Sequence, residues 1–221
     1  MEFDLSYLLA QLPALRRGLL LTVQASGLAI VLSFAVGLVG ASLRAGAVPV
    51  LSPLVAAYVE FIRNTPLLVQ LFFLFFGLPT LGLTLSLFAT GVLALTLWAG
   101  AFQVENVRGG LAAVSPGLRE AAGALGLSRG RYLLLVGLPL AVRTGLPSML
   151  NTAVSLIKNS AYLSAIGLQE LSAVAFDRIA SDFRAFEMLL VLLVGYLGVV
   201  LTLSAAVRVI DHRLSAPFRA A

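Results

Sequence analysis

The chain has 221 residues, of which 60% are hydrophobic and 11% charged, and it carries a formal net charge of +5 with a mean hydropathy of +1.01. An ordinary soluble domain has about 45–50% apolar and about 25% charged residues, so this composition excludes a water-soluble globule and indicates that the bilayer is the solvent. Because it has no cysteine, one histidine and no G-x-x-x-x-G-K-[ST] phosphate loop around its sole lysine, the sequence also excludes disulfides, a Cys/His zinc site and an ATPase site of its own.

The first seventeen residues, 1–17, do not resemble a cleavable signal. Glu2 and Asp4 stand where a signal peptide carries positive charge, so we expect the segment to remain attached. Five leucines recur at helical spacing: Leu5, Leu8, Leu9, Leu12 and Leu15. This pattern predicts a short amphipathic helix lying along the outer membrane surface, with a frayed terminus as the alternative.

Five apolar stretches follow, and each is long enough to cross the bilayer. They occupy residues 18–43, 54–78, 87–107, 140–166 and 188–209. Since about 20 apolar residues in a helix cross about 30 Å of hydrocarbon, the sequence predicts an all-α membrane protein with five transmembrane helices. We expect one membrane domain over residues 18–213 and a cytoplasmic tail over 214–221.

The distribution of arginine predicts the orientation. Seven arginines fall on the side of the loop after the third span: Arg44, Arg119, Arg129, Arg131, Arg208, Arg213 and Arg219. Four fall on the opposite side: Arg16, Arg17, Arg178 and Arg184. The excess of positive charge marks the cytoplasm, so we expect the N-terminus outside and the C-terminus inside, although Arg16 and Arg17 locally favour the reverse. Arginines spread in this way account for a pI near 10.2 without a nucleic-acid partner.

Two Glu-x-x-Arg pairs fall within predicted spans. Glu60 and Arg63 lie in span two, and Glu105 and Arg108 lie in span three, at a similar predicted depth in the cytoplasmic half. The i,i+3 spacing on a helix places each arginine beside its glutamate, which lowers the cost of holding charge in a poorly hydrated region. The pairs either lock two helices together or form the polar lining of a substrate path.

A proline interrupts span two directly after Arg63. Thr65 and Pro66 are expected to bend or break the helix, because proline removes a backbone donor. Such breaks are tolerated at membrane depth mainly where they face protein or a wet cavity. Thr65 therefore joins the candidate substrate path.

Residues 109–139 are too polar and glycine-rich to span. Ser115 is a good N-cap, Pro116 a good first helical residue, and Gly126 is placed to end the helix that they begin. The sequence predicts a short cytoplasmic surface helix over residues 116–126, between spans three and four.

Lys158 is a cation in the outer half of predicted span four, roughly 22 Å along the helix from Arg143. It has no acidic neighbour within one turn, and Asn159 and Ser160 add donors and acceptors at the same level. The carboxylate of an amino acid is one candidate counter-ion. Snorkelling, or pairing with a glutamate of another helix, is the alternative.

The segment after span three carries a resemblance to a known family. Glu120-Ala121-Ala122, then Gly126, then Val136-Gly137-Leu138-Pro139 resemble the E-A-A-x3-G-x9-I-x-L-P signature of ABC importer permeases, with Val136 in place of Ile. Residues 58–70, 108–110 and 183–187 are similar to the polar amino-acid uptake subfamily, which serves histidine, arginine, glutamine and glutamate. The likeness covers nearly the whole chain.

The resemblance implies a type I ABC importer permease fold in a prokaryotic inner membrane. It implies three kinds of partner: two cytoplasmic ATPases that bind ATP and Mg, a second permease subunit that is identical or a sister, and an extracytoplasmic binding protein. No cofactor would reside in this chain. The helix around Glu120 would be the coupling helix, and Ala121, Ala122, Gly126 and Pro139 would share its role.

The same resemblance bears on the cargo. Members that look like carriers of basic substrates commonly read Lys-Asp-Thr-Ser where this chain reads Lys158-Asn159-Ser160-Ala161. The missing acid favours glutamate, aspartate or glutamine. Basic amino acids, opines, sulfur amino acids and compatible solutes remain open, as does a passive channel. A membrane-embedded enzyme is disfavoured, because the polar residues of the predicted spans include no metal cluster, no His or Cys base and no carboxylates paired closely enough in sequence for hydrolysis.

Overall fold

The structure is a computed structural model that describes the backbone of residues 3–215 and the side chains of residues 3–208. That part of the chain is helical throughout, with the elements α1 (Leu5–Ala45), α2 (Leu51–Arg63), α3 (Leu67–Thr80), α4 (Leu87–Ala112), α5 (Pro116–Ala124), α6 (Arg129–Ile166), α7 (Leu171–Asp182) and α8 (Ala185–Ser215). The all-α prediction is confirmed. The predicted tail lies outside the described residues from 216 onward.

Four of these helices are long and apolar enough to cross a membrane. They are α1, α4, α6 and α8, and α2 with α3 makes a fifth candidate if the bent pair counts as one span. The axes of α2 and α3 differ by 110°, so residues 54–78 do not form the single straight span that their apolar length suggests. The predicted break at Thr65 and Pro66 is therefore confirmed.

Helix α1 extends well beyond the first predicted span. It has 41 residues, or about 60 Å at about 1.5 Å per residue, and the Asp4 carboxylate accepts a hydrogen bond from Tyr7 N at its start. Residues 5–17 continue directly into residues 18–43, and Pro13 is accommodated inside the helix. The sequence boundary at residue 17 is therefore not a boundary between two helices.

A repeated local sequence shapes α3 and α6. The sequence Gly-Leu-Pro occurs at residues 77–79 and 137–139, and its glycine is each time the last residue of a π-helical turn, at Phe73–Gly77 and Leu133–Gly137 respectively. Proline lacks an N–H and its ring crowds the carbonyl four residues earlier, which here falls inside the π-turn in both cases. The wider turn therefore accommodates the proline without ending the helix.

Helix α4 is the centre of the bundle and packs closely against α1 and α6. A Cβ added at Gly37 of α1 would lie 2.5 Å from the Gln103 side chain, and one at Gly110 would lie 2.1 Å from the Ala141 carbonyl oxygen. Glycine at these points lets the helix backbones approach one another. The main core cluster joins α1, α3, α4 and α6 through residues such as Leu71, Leu95, Leu156 and Leu163.

Candidate functional site

A charged pocket of about 470 Å³ lies between α1, α2 and α4. Its lining residues are Arg44, Ala56, Val59, Glu60, Arg63, Asn64, Phe102, Glu105 and Arg108. The two Glu-x-x-Arg pairs of the sequence thus meet at one level of the bundle. Three arginines and two glutamates face a single space.

Glu105 is the anionic centre of this pocket. Its Oε1 lies 2.5 Å from the Arg44 guanidinium, and its Oε2 lies 2.7 Å from the guanidinium of Arg108. The pairing of Glu105 with Arg108 follows the i,i+3 spacing. Arg44 lies at the end of α1, and the sequence analysis used it only to predict the orientation in the membrane. One carboxylate therefore joins two helices.

The second predicted pair does not form. The Arg63 guanidinium lies over the Phe102 ring, 5.2 Å from its centroid, and Glu60 makes no ion pair within the described part of the chain. An aromatic face offers a cation an attraction comparable to that of an exposed ion pair, and it costs less side-chain ordering. The i,i+3 rule failed for Arg63 because a residue of another helix competes for it.

Thr65 belongs to the break between α2 and α3 and is not among the lining residues of the charged pocket. The Gln70 side-chain amide donates to the carbonyl oxygens of Ile62 and Thr65 at 2.9 and 3.1 Å, and to Thr65 Oγ1 at 2.8 Å. These bonds satisfy carbonyls that the break leaves without helical partners. Gln70 is a structural residue that the sequence did not single out. Asn64, beside the break, lines the pocket instead.

The Lys158 segment lies apart from the charged pocket. Lys158 is exposed and makes no ion pair with any described residue, and Asn159 is half-buried. Ser160 is fully buried, and its hydroxyl donates to the Ile157 carbonyl at 2.7 Å, where α6 tightens into a 3₁₀ segment. The Ser160 hydroxyl is thus engaged at the change from α-helix to 3₁₀ helix, and Lys158 and the half-buried Asn159 are the groups of this trio that are open to a ligand.

The short helix α5 begins as predicted and ends two residues earlier, at Ala124. Glu120 and Ala121 are exposed, whereas Ala122 is 5% exposed and anchors the helix. Gly126 has a φ of +76° and donates its N–H to the Gly123 carbonyl, which is the left-handed helix ending that glycine favours. Pro139 lies within α6, beyond its π-turn.

A cavity of about 450 Å³ separates α5 from the ends of α1 and α4 and the start of α6. Arg119 and Arg129 line it, and Arg129 donates to the Ala45 carbonyl at 3.3 Å. The exposed leucines of this region, Leu118 and Leu125, are 45% and 82% accessible. Helix α5 is therefore loosely held and presents apolar side chains to the outside of the bundle.

A buried polar junction at the far end of α6 was not foreseen. Glu170 has no exposed surface and accepts hydrogen bonds from Ala173 N, Thr22 Oγ1 and the Tyr196 hydroxyl at 2.9, 3.1 and 2.9 Å. It thereby joins the start of α7 to α1 and α8. Burial raises the pKa of the Glu170 carboxyl above its ordinary value. The feature of the sequence that could have indicated this junction is an acidic residue at the N-cap position of α7.

Comparisons with known proteins agree with this architecture. Residues 33–216 match the family described as binding-protein-dependent transport system inner membrane component. The protein of Bacillus subtilis (strain 168) named probable glutamine ABC transporter permease protein GlnP is 36% identical, over 96% of this chain and 99% of the relative. The glutamine transport system permease protein GlnP of Escherichia coli (strain K12) is 33% identical, over 97% and 99%.

Solved structures show the same fold. A crystal structure described as an amino acid ABC transporter with histidines matches with a TM-score of 0.86 at 30% identity, over 96% of this chain and 100% of that one. An inward-facing MetNI methionine ABC transporter structure matches with a TM-score of 0.73 at 22% identity, over 96% and 99%, which bears on the fold alone. The resemblance carried by the Glu120 segment is confirmed.

Proposed function

Because this chain belongs to the family of binding-protein-dependent transport system inner membrane components, and is an amino-acid permease of the ABC importer class, we propose that its cargo carries an amide side chain, glutamine above all. Glutamate and aspartate are the second candidates. The observation that carries this proposal is the similarity to two relatives named as glutamine permeases, in Bacillus subtilis and Escherichia coli, over 96% and 97% of this chain.

The chemistry around Lys158 supports the same choice. Lys158 is an exposed cation that can meet the α-carboxylate of an amino acid. The 38 residues of α6 include no aspartate or glutamate that could meet a guanidinium or a second ammonium group. Asn159, next to Lys158, offers amide chemistry where the cargo's own amide would be complemented.

The charged pocket around Glu105 is proposed to lie further along the substrate path. Glu60, which has no ion-pair partner among the described residues, is free to meet the ammonium group of a zwitterion there. The Arg108 guanidinium is paired with Glu105, but its side chain is 50% exposed and can also meet a carboxylate. Arg44 and Arg63 would hold the walls of the pocket in place. Thr65 would contribute by keeping the break between α2 and α3 in shape.

The remaining parts of the proposal concern partners and orientation. Helix α5 would be the coupling helix, through which two cytoplasmic ATPases that bind ATP and Mg act on the bundle, with Glu120 and Ala121 at the contact. A second permease subunit would complete the pathway, and an extracytoplasmic binding protein would deliver the cargo. Five crossings, with α2 and α3 as one broken span, would leave the N-terminus outside and the C-terminus in the cytoplasm.

Competition uptake by the complete reconstituted complex tests the cargo. We expect labelled glutamine to accumulate with ATP, unlabelled glutamine and then glutamate to compete, and arginine to compete poorly. A Lys158→Met variant should lose uptake, because the cargo's carboxylate loses its cation, whereas Lys158→Arg should retain part of it. Strong competition by arginine, or normal uptake by Lys158→Met, would count against the proposal.

Histidine is a third candidate cargo. The observation that favours it is the 30%-identical solved structure, which is described with histidines. The same competition assay separates the two, because a histidine carrier would be inhibited by histidine more strongly than by glutamine.

A further inference from the structure

One face of α6 carries a continuous stripe of polar side chains. The stripe consists of Thr144, Ser148, Asn151, Ser155 and Lys158. Their spacing of four, three, four and three residues places them within an arc of about 80°, and they cover about 21 Å of helix. That length is most of the roughly 30 Å thickness of a hydrocarbon core. We refer to these five residues as the α6 stripe.

The α6 stripe is open in the single chain. Thr144, Ser148, Asn151 and Lys158 are exposed, and Ser155 is half-buried. By contrast, the next face of the same helix is closed against α4, where Met149 and Leu156 have no exposed surface. The stripe therefore lies beside the helix contact and not within it.

Most of the stripe has no hydrogen-bond partner in the fold. Thr144 donates to the Gly110 carbonyl at 3.1 Å, but the side chains of the other four make no hydrogen bond to any residue whose side chain is described. A hydroxyl or amide facing hydrocarbon without a partner is costly. Something outside the described part of this chain must satisfy these groups.

Another membrane-crossing helix shows what a lipid-compatible face looks like here. On α8 the residues Leu189, Leu193, Leu197 and Leu201 recur at helical spacing and are 51–63% exposed. This row resembles the α6 stripe in spacing and exposure but is entirely apolar. The chain thus presents two exposed faces of opposite chemistry to its surroundings.

The stripe borders a groove with polar groups on its other wall. Asn151 lines a groove of about 250 Å³ together with Ser204 and Arg208 of α8. On the α4 side, the Asn106 amide donates to the Ser148 carbonyl at 3.3 Å and to Thr152 Oγ1 at 2.9 Å. Polar groups therefore flank the stripe on both sides.

We propose that the α6 stripe is one wall of a water-filled path, and that Asn151 and Ser155 contact a small zwitterionic amino acid as it moves along α6 from Lys158. This rests on the proposed function and adds residues to the same path. The stripe offers hydroxyls, one amide and one cation but no carboxylate, so it fits a cargo with a neutral polar or anionic side chain. Asn151 would be a positioning residue for the cargo's polar end.

Thiol labelling tests the path without relying on transport, and the chain is naturally free of cysteine. Single variants Ser148→Cys, Asn151→Cys and Ser155→Cys would be labelled in membranes that contain the full transporter complex, using a charged, membrane-impermeant methanethiosulfonate. The matched controls are Leu193→Cys and Leu197→Cys on the apolar row of α8. Every variant is also treated with a lipid-soluble maleimide.

We expect the stripe positions to react about tenfold or more faster with the charged reagent than the α8 positions, because a thiol in lipid has a raised pKa and little thiolate. Excess glutamine should slow labelling at residues 151 and 155. Labelling of the stripe by the lipid-soluble reagent alone would place it against lipid. Protection from both reagents would place it against a second protein subunit. Either result would overturn the proposal.

An uptake measurement separates this inference from the cargo assignment. Asn151→Leu should raise the half-saturating cargo concentration about tenfold, as expected for one lost hydrogen bond, while Asn151→Gln should restore it in part. An unchanged value in Asn151→Leu would refute the role of Asn151. If the wild-type complex transported no amino acid at all, the proposed function would fail. The labelling pattern would still decide whether the α6 stripe is accessible to water.

Discussion

The regions next to the two ends of α6 differ in how they are stabilised. Beyond its last turn, the buried carboxylate of Glu170 takes hydrogen bonds from Thr22 and Tyr196 and joins three helices. Before its first turn, α5 packs mainly against α6 and leaves Leu118 and Leu125 in the open. The first region satisfies its polar groups internally, and the second exposes apolar groups that another protein can cover.

This difference shows which part of the bundle satisfies its own side chains and which part leaves side chains for another protein to cover. A buried polar network with all of its hydrogen bonds made holds its helices in one arrangement. A short exposed helix with apolar side chains has the character of an interaction site. Under the proposed function, motion driven by a partner would enter through α5, and the Glu170 junction would resist it.

The largest effect is expected at the end of α5. Gly126→Pro places a residue with φ near −65° where the chain has a φ of +76°, so the turn after α5 must rearrange. We expect uptake to fall by more than about tenfold, with insertion into the membrane unchanged. Gly123→Ala is the matched control, because Gly123 lies in the same helix with open space around it. Normal cargo-stimulated ATP hydrolysis by Gly126→Pro would refute the coupling role.

The next effect is a loss of stability at the other end. Glu170→Ala removes an acceptor of the Thr22 and Tyr196 hydroxyls and the acceptor of the buried Ala173 N–H, and a buried donor left unsatisfied costs about 1–3 kcal/mol. We expect the Tm of the purified protein in detergent to drop by about 5 °C or more. Asp177→Ala, on the exposed side of the same helix, should change the Tm little. An equal fall in Tm in both variants would show that the buried hydrogen bonds of Glu170 contribute no more stability than an exposed carboxylate does.

A smaller effect on the Tm separates the contribution of the Glu170 charge to stability from that of its shape. Because burial raises the pKa of Glu170 in the folded state, the carboxyl contributes its full stability below about pH 4, and part of that stability is lost as the pH rises through the raised value. Glu170→Gln cannot ionise, and its amide oxygen can still accept the hydrogen bonds of Thr22 and Tyr196. The Tm of the wild type relative to Glu170→Gln should therefore fall from pH 4 to pH 7. A rise over this range would contradict the assignment.

The smallest effect is expected at the start of α5. The Ser115 side chain makes no capping hydrogen bond there, so Ser115→Ala should change the Tm by less than about 1 °C. Ser86→Ala, which removes an acceptor of the Ala89 N–H at 3.2 Å, should cost about 1 kcal/mol. A larger loss in Ser115→Ala than in Ser86→Ala would mean that α5 is capped more firmly than its geometry indicates.

The helices were predictable from composition because a bilayer selects long apolar runs, and the break at Thr65 followed from the missing N–H of Pro66. Helix lengths were less predictable. Apolar runs mark the part of a helix that lipid can cover, but α1 begins at Leu5 and α6 at Arg129, in residues that are polar enough to leave the membrane. A helix does not need to end where its apolar run ends.

The site was predictable only where contacts are local. Glu105 and Arg108 are three residues apart, and their ion pair formed as expected. Arg44 joins Glu105 from 61 residues away, and Glu170 meets Thr22 from 148 residues away, so neither contact has a pattern along the chain. The expected pairing of Arg63 with Glu60 was wrong for the same reason, since the aromatic partner of Arg63 belongs to another helix.

The wide turn at Leu133–Gly137 has a consequence for where α5 points. Such a turn holds about one residue more than regular helix would. Because the wide turn absorbs its extra residue within one turn, deleting a single residue there would restore regular winding and leave the helix on either side at nearly the same azimuth. The wide turn can therefore lose a residue without changing the direction in which Glu120 points, whereas a one-residue deletion in the regular part of α6 would rotate the upstream segment by about 100°.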